Sequence, residues 1–243
     1  MLIRPFSLAT IRRALAEGWR IASGTRAVSI AYALLFVLGG AAIMGGLLAL
    51  GHTPFVIPAA GAFMLVGPAI LAGFFGIARA YEAGGQVTTA AVAAGFASAA
   101  GALWALALVC GMLFMIFVTD AAILYAYMVG GTPVWLADLL PASAGVVNFV
   151  KWAAVSGFVV ALLLFAISAF AVPLLCERRT GLVDAVVTSV RAVIGNVVPA
   201  LAWAFLISAA IIASVLLLPL LPLTLPWLAY ASRALYREVL PLP

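Results

Sequence analysis

Four long stretches of this chain contain no Asp, Glu, Lys or Arg: residues 27–78, 86–119, 152–176 and 192–232. A helix of about 20 apolar residues crosses the roughly 30 Å hydrocarbon core of a bilayer, so each stretch has room for one or two crossings. Charged residues make up 8% of the chain, against about 25% in soluble domains, which argues against an aqueous fold. The expectation is an all-α polytopic membrane protein, one domain over residues 1–243 with six transmembrane helices. The spans are placed at about 28–50, 55–78, 96–119, 152–175, 197–217 and 221–238. Pro219, Pro222 and Pro226 disfavour one unbroken helix in the last block, because proline removes a backbone donor and clashes with the preceding turn. Two helices joined by a tight proline turn are expected there, with one kinked or re-entrant helix as the alternative.

Two segments beside the apolar runs read as amphipathic helices. In 7–22, Leu8, Ile11, Leu15 and Trp19 recur at spacings of three or four, with Arg13, Glu17 and Arg20 on another face. Such a helix either lies in the membrane interface, with Arg12, Arg13 and Arg20 toward headgroups and Trp19 at the acyl boundary, or caps the bundle. In 176–196, Val183, Val186, Val187, Val190 and Ile194 form the apolar stripe. The arginine pair Arg12-Arg13 lies well upstream of the first apolar run, which is itself too long for a signal h-region. An uncleaved first span is expected.

Six spans would place 11 of the 12 basic residues on one side, with Lys151 alone opposite. The positive-inside rule then makes both termini cytoplasmic, in a bacterial inner membrane. With a pI near 9.7, anionic lipid headgroups are the expected partner and nucleic acid is not. Arg79, Glu82, Glu177, Arg178, Arg179, Asp184, Arg191, Arg233 and Arg237 would converge at that inner surface, either as a structural ion network or as a docking site for a membrane-protein partner or a lipid.

Little chemistry is on offer. The lone histidine, His52, falls on an expected turn, so a bis-histidine haem cannot be built in this chain. Cys110 and Cys176 sit at different depths and have no CxxC neighbour. Asp120 and Asp138 fall on the outer side, and no ionisable residue is expected near mid-membrane, where it would mark a transport pathway. Neither a catalytic residue, a metal site nor a cofactor is expected. Small residues recur at i, i+4 spacing in Ala41/Gly45, Ala42/Gly46, Ala69/Gly73, Ala72/Gly76 and Ala93/Ala97/Gly101, a pattern that lets helix backbones approach in lipid.

The stretches VGPAILAGFFGIARAYEAGG (66–85), VPLLCERRTGLVDAVVTSVRAVIGN (172–196) and PWLAYASRALYREVL (226–240), with SLATIRRALAEGWRI and SIAYALLF near the N-terminus, resemble a bacterial integral-membrane family, domain of unknown function 2189. Members often carry a cytochrome c oxidase subunit label. Gly67, Pro68, Arg79, Glu82, Pro173, Arg191, Asn196, Tyr236 and Arg237 fit that pattern. Where the family carries GHATWH before its Tyr-Arg pair, this chain has AYASRA at 229–234, without either histidine. The resemblance implies no activity. The expected role is a non-enzymatic accessory subunit or assembly factor of a larger membrane complex, a respiratory one by the label. A small-molecule permease or channel, lined by Thr119, Asp120, Asn148, Ser156 and Ser168, is the alternative.

Overall fold

The structure is a computed structural model that describes residues 3–49, 56–99, 101–128 and 144–241. His52 and Asp138 lie outside the described residues. The described elements are α1 (Leu8–Gly24), α2 (Arg26–Ala49), α3 (Val56–Glu82), α4 (Thr89–Ser98), α5 (Gly101–Met128), α6 (Ala144–Ser168), α7 (Ala171–Cys176), α8 (Leu182–Ile194), α9 (Val197–Leu216) and α10 (Leu221–Val239). Among the described residues there is no strand.

The all-α expectation stands, but the count of six spans is corrected. Among the described residues four segments are long and apolar enough to cross a membrane: Arg26–Ile43, Gly101–Met128, Val147–Cys176 and Val197–Ser214. The expected spans at 55–78 and 221–238 are not among them. In α3 the described side chains from Ile70 onward form a stretch shorter than a crossing, and it ends on Arg79 and Glu82. In α10 the second half carries Arg233, Arg237 and Glu238. Its apolar and charged residues alike face protein, and it packs against α1, α2, α3 and α9.

Local chemistry sets the helix ends. Ser7 caps α1: its hydroxyl accepts from the Thr10 N–H, and the Thr10 hydroxyl accepts from the Ser7 N–H in return. Leu218–Leu220 form a 3-10 turn between α9 and α10, so this block is two helices. Proline at the first turn of α10 suits a position whose N–H has no helical partner. The Thr224 hydroxyl donates to Ser214 Oγ at 2.8 Å, tying the two helices across that turn.

Pro173 cannot donate to the Ala169 carbonyl four residues back, and the helix breaks there, between α6 and α7. Ser189 of α8 enters the break. Its hydroxyl accepts from the Phe170 N–H at 3.1 Å and donates to the Ala166 carbonyl at 2.7 Å. It bridges the donor and acceptor that an unbroken helix would have joined directly.

Two close crossings define the interior. Gly18 of α1 lies against α10, where an added Cβ would stand 2.6 Å from the Ala231 nitrogen. Gly76 of α3 and Gly95 of α4 face each other, and a Cβ on either would strike the other helix's backbone, Ala91 O or Ala72 O. Around them pack Phe74, Phe75, Leu174, Leu175, Tyr230, Leu235 and Tyr236, all fully buried. The Arg4 N–H donates to the Val239 carbonyl and the Phe6 N–H to Asn196 Oδ1. Residues from both ends of the chain therefore meet at the end of the bundle that holds the C-termini of α3, α7 and α10.

Candidate functional site: an arginine-rich polar end

Arg233, Tyr236 and Arg237 occupy positions i, i+3 and i+4 of α10, so they share one face. That face meets Glu82 at the end of α3 and Glu177 just after α7. The Arg233 side chain is 2% exposed and forms a fork on both oxygens of Glu82, with its Nη2 at 3.0 Å from Oε2. Its Nε lies 3.6 Å from Glu177 Oε1. Arg237 reaches the same two carboxylates, 2.9 Å to Glu82 and 3.3 Å to Glu177. The Tyr236 hydroxyl donates to Glu177 Oε2 at 3.1 Å and accepts from Arg179 Nη1 at 2.9 Å.

The remaining arginines attend to helix ends. Arg79 donates to the carbonyl of Cys176, the last residue of α7, and to the Ser98 hydroxyl at the end of α4. Arg178 donates to the Ala97 and Ala99 carbonyls, also at the end of α4. Arg179 donates to the carbonyls of Leu240 and Pro241, just past α10. Arg79, Arg178, Arg179, Arg233 and Arg237 thus outnumber their carboxylate partners, Glu82 and Glu177. Four helix C-termini converge here, those of α3, α4, α7 and α10. Each is equivalent to up to about half a negative charge, so the surplus of cations is met largely by backbone.

The charges tune one another. Burial alone would raise the Glu82 carboxyl, but hydrogen bonds and charge from Arg233, and then Arg237, outweigh it and hold it below the ordinary glutamate value. Burial, then the neighbouring Arg233 charge, lowers Arg79, which stays protonated because guanidinium is so strong a base. Burial also pushes the Tyr236 hydroxyl up. Beside the cluster a cavity of about 180 Å³ opens between α1, α3 and α10, walled by Glu17, Ile21, Glu82, Arg233, Arg237 and Glu238. Its two outer carboxylates are already engaged, Glu17 with Arg20 at 2.6 Å and Glu238 with Arg13 at 2.7 Å.

Seven of the residues singled out from sequence thus lie together: Arg79, Glu82, Glu177, Arg178, Arg179, Arg233 and Arg237. Asp184 and Arg191 do not join them. Both are exposed on α8 and make no ion pair among the described residues. Of the interface set, Arg13 reaches α10 rather than headgroups, and Arg20 holds Glu17 and lies over the Tyr81 ring. Trp19 packs edge-on against Trp227, with ring centroids 5.9 Å apart. Arg12 is exposed and unpaired among the described residues. Sequence reasoning missed Tyr236, Ser98 and Ser189 as polar connectors. Tyr236 had a signal, since it sits one turn beyond Arg233 on the same face; the two serines had none.

Both cysteines are free and buried. Among the described residues no group of three His, Cys, Asp or Glu side chains converges as a metal site. The hydroxyls of Thr119, Ser156 and Ser168 fold back onto their own helices, to the carbonyls of Met115, Ala153 and Leu164.

The model of the family described as predicted integral membrane protein, DUF2189, matches residues 56–177. The match covers half of the chain and includes Arg79, Glu82 and Glu177, three members of the polar cluster. The chain belongs to DUF2189. No curated protein and no solved structure matches it. The α10 half of the cluster, with Arg233, Tyr236 and Arg237, lies outside the matched residues, so in this DUF2189 protein a helix from beyond the matched segment completes the cluster.

Proposed function

We propose that this membrane protein is a non-enzymatic accessory subunit or assembly factor of a larger complex in the bacterial inner membrane, with both termini cytoplasmic. The observation that carries this reading is where its side chains are spent. At the polar end the charged groups bind one another and helix ends, which suits a structural staple. Along the spans the opposite holds: 17% of Arg26–Ile43 and 17% of Val197–Ser214 is buried inside the chain. Most of those two surfaces is therefore available to lipid or to a neighbouring membrane protein. The oxidase label attached to similar proteins makes a respiratory complex the first partner to look for.

The orientation rests on the arginines and on the chain ends. The Arg4 to Val239 hydrogen bond puts residues near both ends at the arginine-bearing end, and basic residues favour the cytoplasmic side. An A16C variant, on an exposed position of α1, is expected to resist an impermeant thiol reagent in intact cells. Native mass spectrometry of the protein extracted from its own membranes tests the role. A stable stoichiometric membrane-protein partner is the expected result. A monomer in mild detergent, with no neighbour captured by crosslinking in the membrane, overturns the proposal.

A further inference from the structure

The two amphipathic helices share a three-faced design. The bundle side of α1 buries Thr10, Ile11, Ala14, Gly18 and Ile21. The bundle side of α8 buries Ala185, Ser189 and Ala192. Larger apolar side chains are left more than half exposed: Leu8 is 62% and Trp19, beside Trp227, 55% exposed on α1, and Val183 is 73% and Ile194 66% exposed on α8. A charged face adjoins each, with Arg13, Glu17 and Arg20 on α1 and Asp184 and Arg191 on α8. At 100° per residue Arg12 falls about 20° beyond Trp19, at the border between the outward apolar face of α1 and its charged face.

We propose that α1 and α8 lie in the headgroup layer of one leaflet, and that Arg12 and Arg191 hold the phosphates of anionic phospholipids there. The occupant follows from the pairing of surfaces. An outward apolar face continuous with apolar spans meets acyl chains, and an unpaired guanidinium at its border meets phosphate. A long basic side chain at the border of an apolar face reaches outward to the interface. Arg13 and Arg20 are excluded from this role, since Glu238 and Glu17 already neutralise them. The proposal does not depend on the accessory role and stands or falls separately.

The test uses the full-length protein, delipidated in mild detergent and titrated with phosphatidylglycerol or phosphatidylcholine, with bound lipid read by native mass spectrometry. Phosphatidylglycerol is expected to be retained preferentially, and R12Q and R191Q each to weaken it about five-fold. R13Q/R20Q is expected to retain it at the wild-type level. Wild-type retention by R12Q/R191Q, or an equal loss in R13Q/R20Q, overturns the assignment. A second measurement needs no change at the arginines. A nitroxide on V183C in phosphatidylglycerol bilayers is expected to collide more with oxygen than with a water-soluble nickel complex. The reverse order places α8 in water, or under a protein partner if both collisions are suppressed, and either result overturns the proposal.

Discussion

Arg233 and Lys151 are basic residues on helices of one chain, and they are handled in opposite ways. Arg233 is 2% exposed, forked onto Glu82 and close to Glu177. Lys151 stands exposed near the start of α6, with no ion pair among the described residues. Asp120, on α5, is likewise exposed. The pairs Tyr125–Phe149 and Phe117–Gly157 set α5 against α6 antiparallel, which brings Asp120 and Lys151 to within about one helical turn of the same level. There, charges are left to reach outward. At the opposite end Arg233, Glu82 and Glu177 are drawn in among the helix ends and paired with one another. The difference teaches where this protein keeps its charges: in an ionic knot between the ends of α3, α7 and α10, while toward the far end of the α5–α6 hairpin the aromatic pair Tyr125–Phe149 packs between the helices.

Removing the knot's central cation is expected to have the largest effect. R233A removes the buried cation that Glu82 and Glu177 share, leaving Arg237 as their remaining one, and is expected to cost about 3–5 kcal/mol, the usual consequence of breaking a buried ion pair on one side. K151A and D120N are expected to stay within about 0.5 kcal/mol, as surface substitutions do. Unfolding in mixed micelles with rising SDS measures all three. Equal shifts for R233A and K151A would erase the distinction between the two ends.

Glycine-to-alanine changes sharpen the same contrast on the scale of single methyl groups. G18A places a Cβ 2.6 Å from the Ala231 backbone nitrogen, and is expected to destabilise by about 1–3 kcal/mol through overpacking. Gly45, on α2, has nothing among the described residues within 4 Å of its added Cβ. G45A is expected to stabilise by up to about 1 kcal/mol, the helix-propensity gain of alanine over glycine. The two substitutions are chemically identical, so opposite signs in the same unfolding assay would isolate packing as the cause.

These pairs also mark how far the sequence could be read. Charge-free runs located the ends of α2, α3, α9 and α10 to within a few residues and the spacing in 7–22 located α1, but α5 runs nine residues past the expected end at 119, α6 begins eight residues before 152, and α4 was not foreseen. The gathering of Arg79, Glu82, Glu177, Arg233 and Arg237 followed from placing charges between apolar runs. The span count did not follow, because a helix such as α10 can be interior while carrying three charges. The faces of α8 did not follow either. The valines at 183 and 187 point outward and Ala185, Ser189 and Ala192 point in. In water the larger apolar side chains turn inward, but beside lipid both faces are apolar and close packing selects the smaller residues. The same ambiguity separates Gly76, pressed against α4, from Gly45 and Gly46, which meet nothing among the described residues, although all three stood in equivalent small-residue patterns. Ser189's place in the α6–α7 break depends on a tertiary meeting that local sequence does not encode.

Acid should loosen the knot before it affects the far end. Glu82 is held below the ordinary glutamate value, chiefly by Arg233 once burial is overcome. In the unfolded chain it takes up its proton near pH 4.3, whereas in the folded protein it does so only at lower pH. Its contribution is therefore complete above about pH 4.3 and is lost as pH falls through the folded value. Stability measured between about pH 5 and 3 is expected to decline, and E82Q, though less stable at neutral pH, is expected to show a shallower decline over that window. A parallel decline in E82Q would assign acid sensitivity to other carboxylates.

The smallest expected effect concerns how α7 ends. The Arg179 N–H donates to the Leu174 carbonyl and the Arg178 N–H to Leu175, a Schellman pattern that puts Arg178 in the left-handed region at φ 50°. α3 ends in the same pattern with a glycine, Gly84 at φ 68°, where the conformation costs nothing. Arg178 bears about 1–2 kcal/mol of backbone strain, and its side chain reaches the Ala97 and Ala99 carbonyls in return. R178A loses those bonds and keeps the strain, whereas R178G loses the bonds and relieves it. R178G is expected to be the more stable of the two by about 1 kcal/mol. If R178G matches or exceeds the wild type, the bonds to α4 contribute less than the strain they accompany, and the polar end is held by Glu82, Glu177 and their arginines without them.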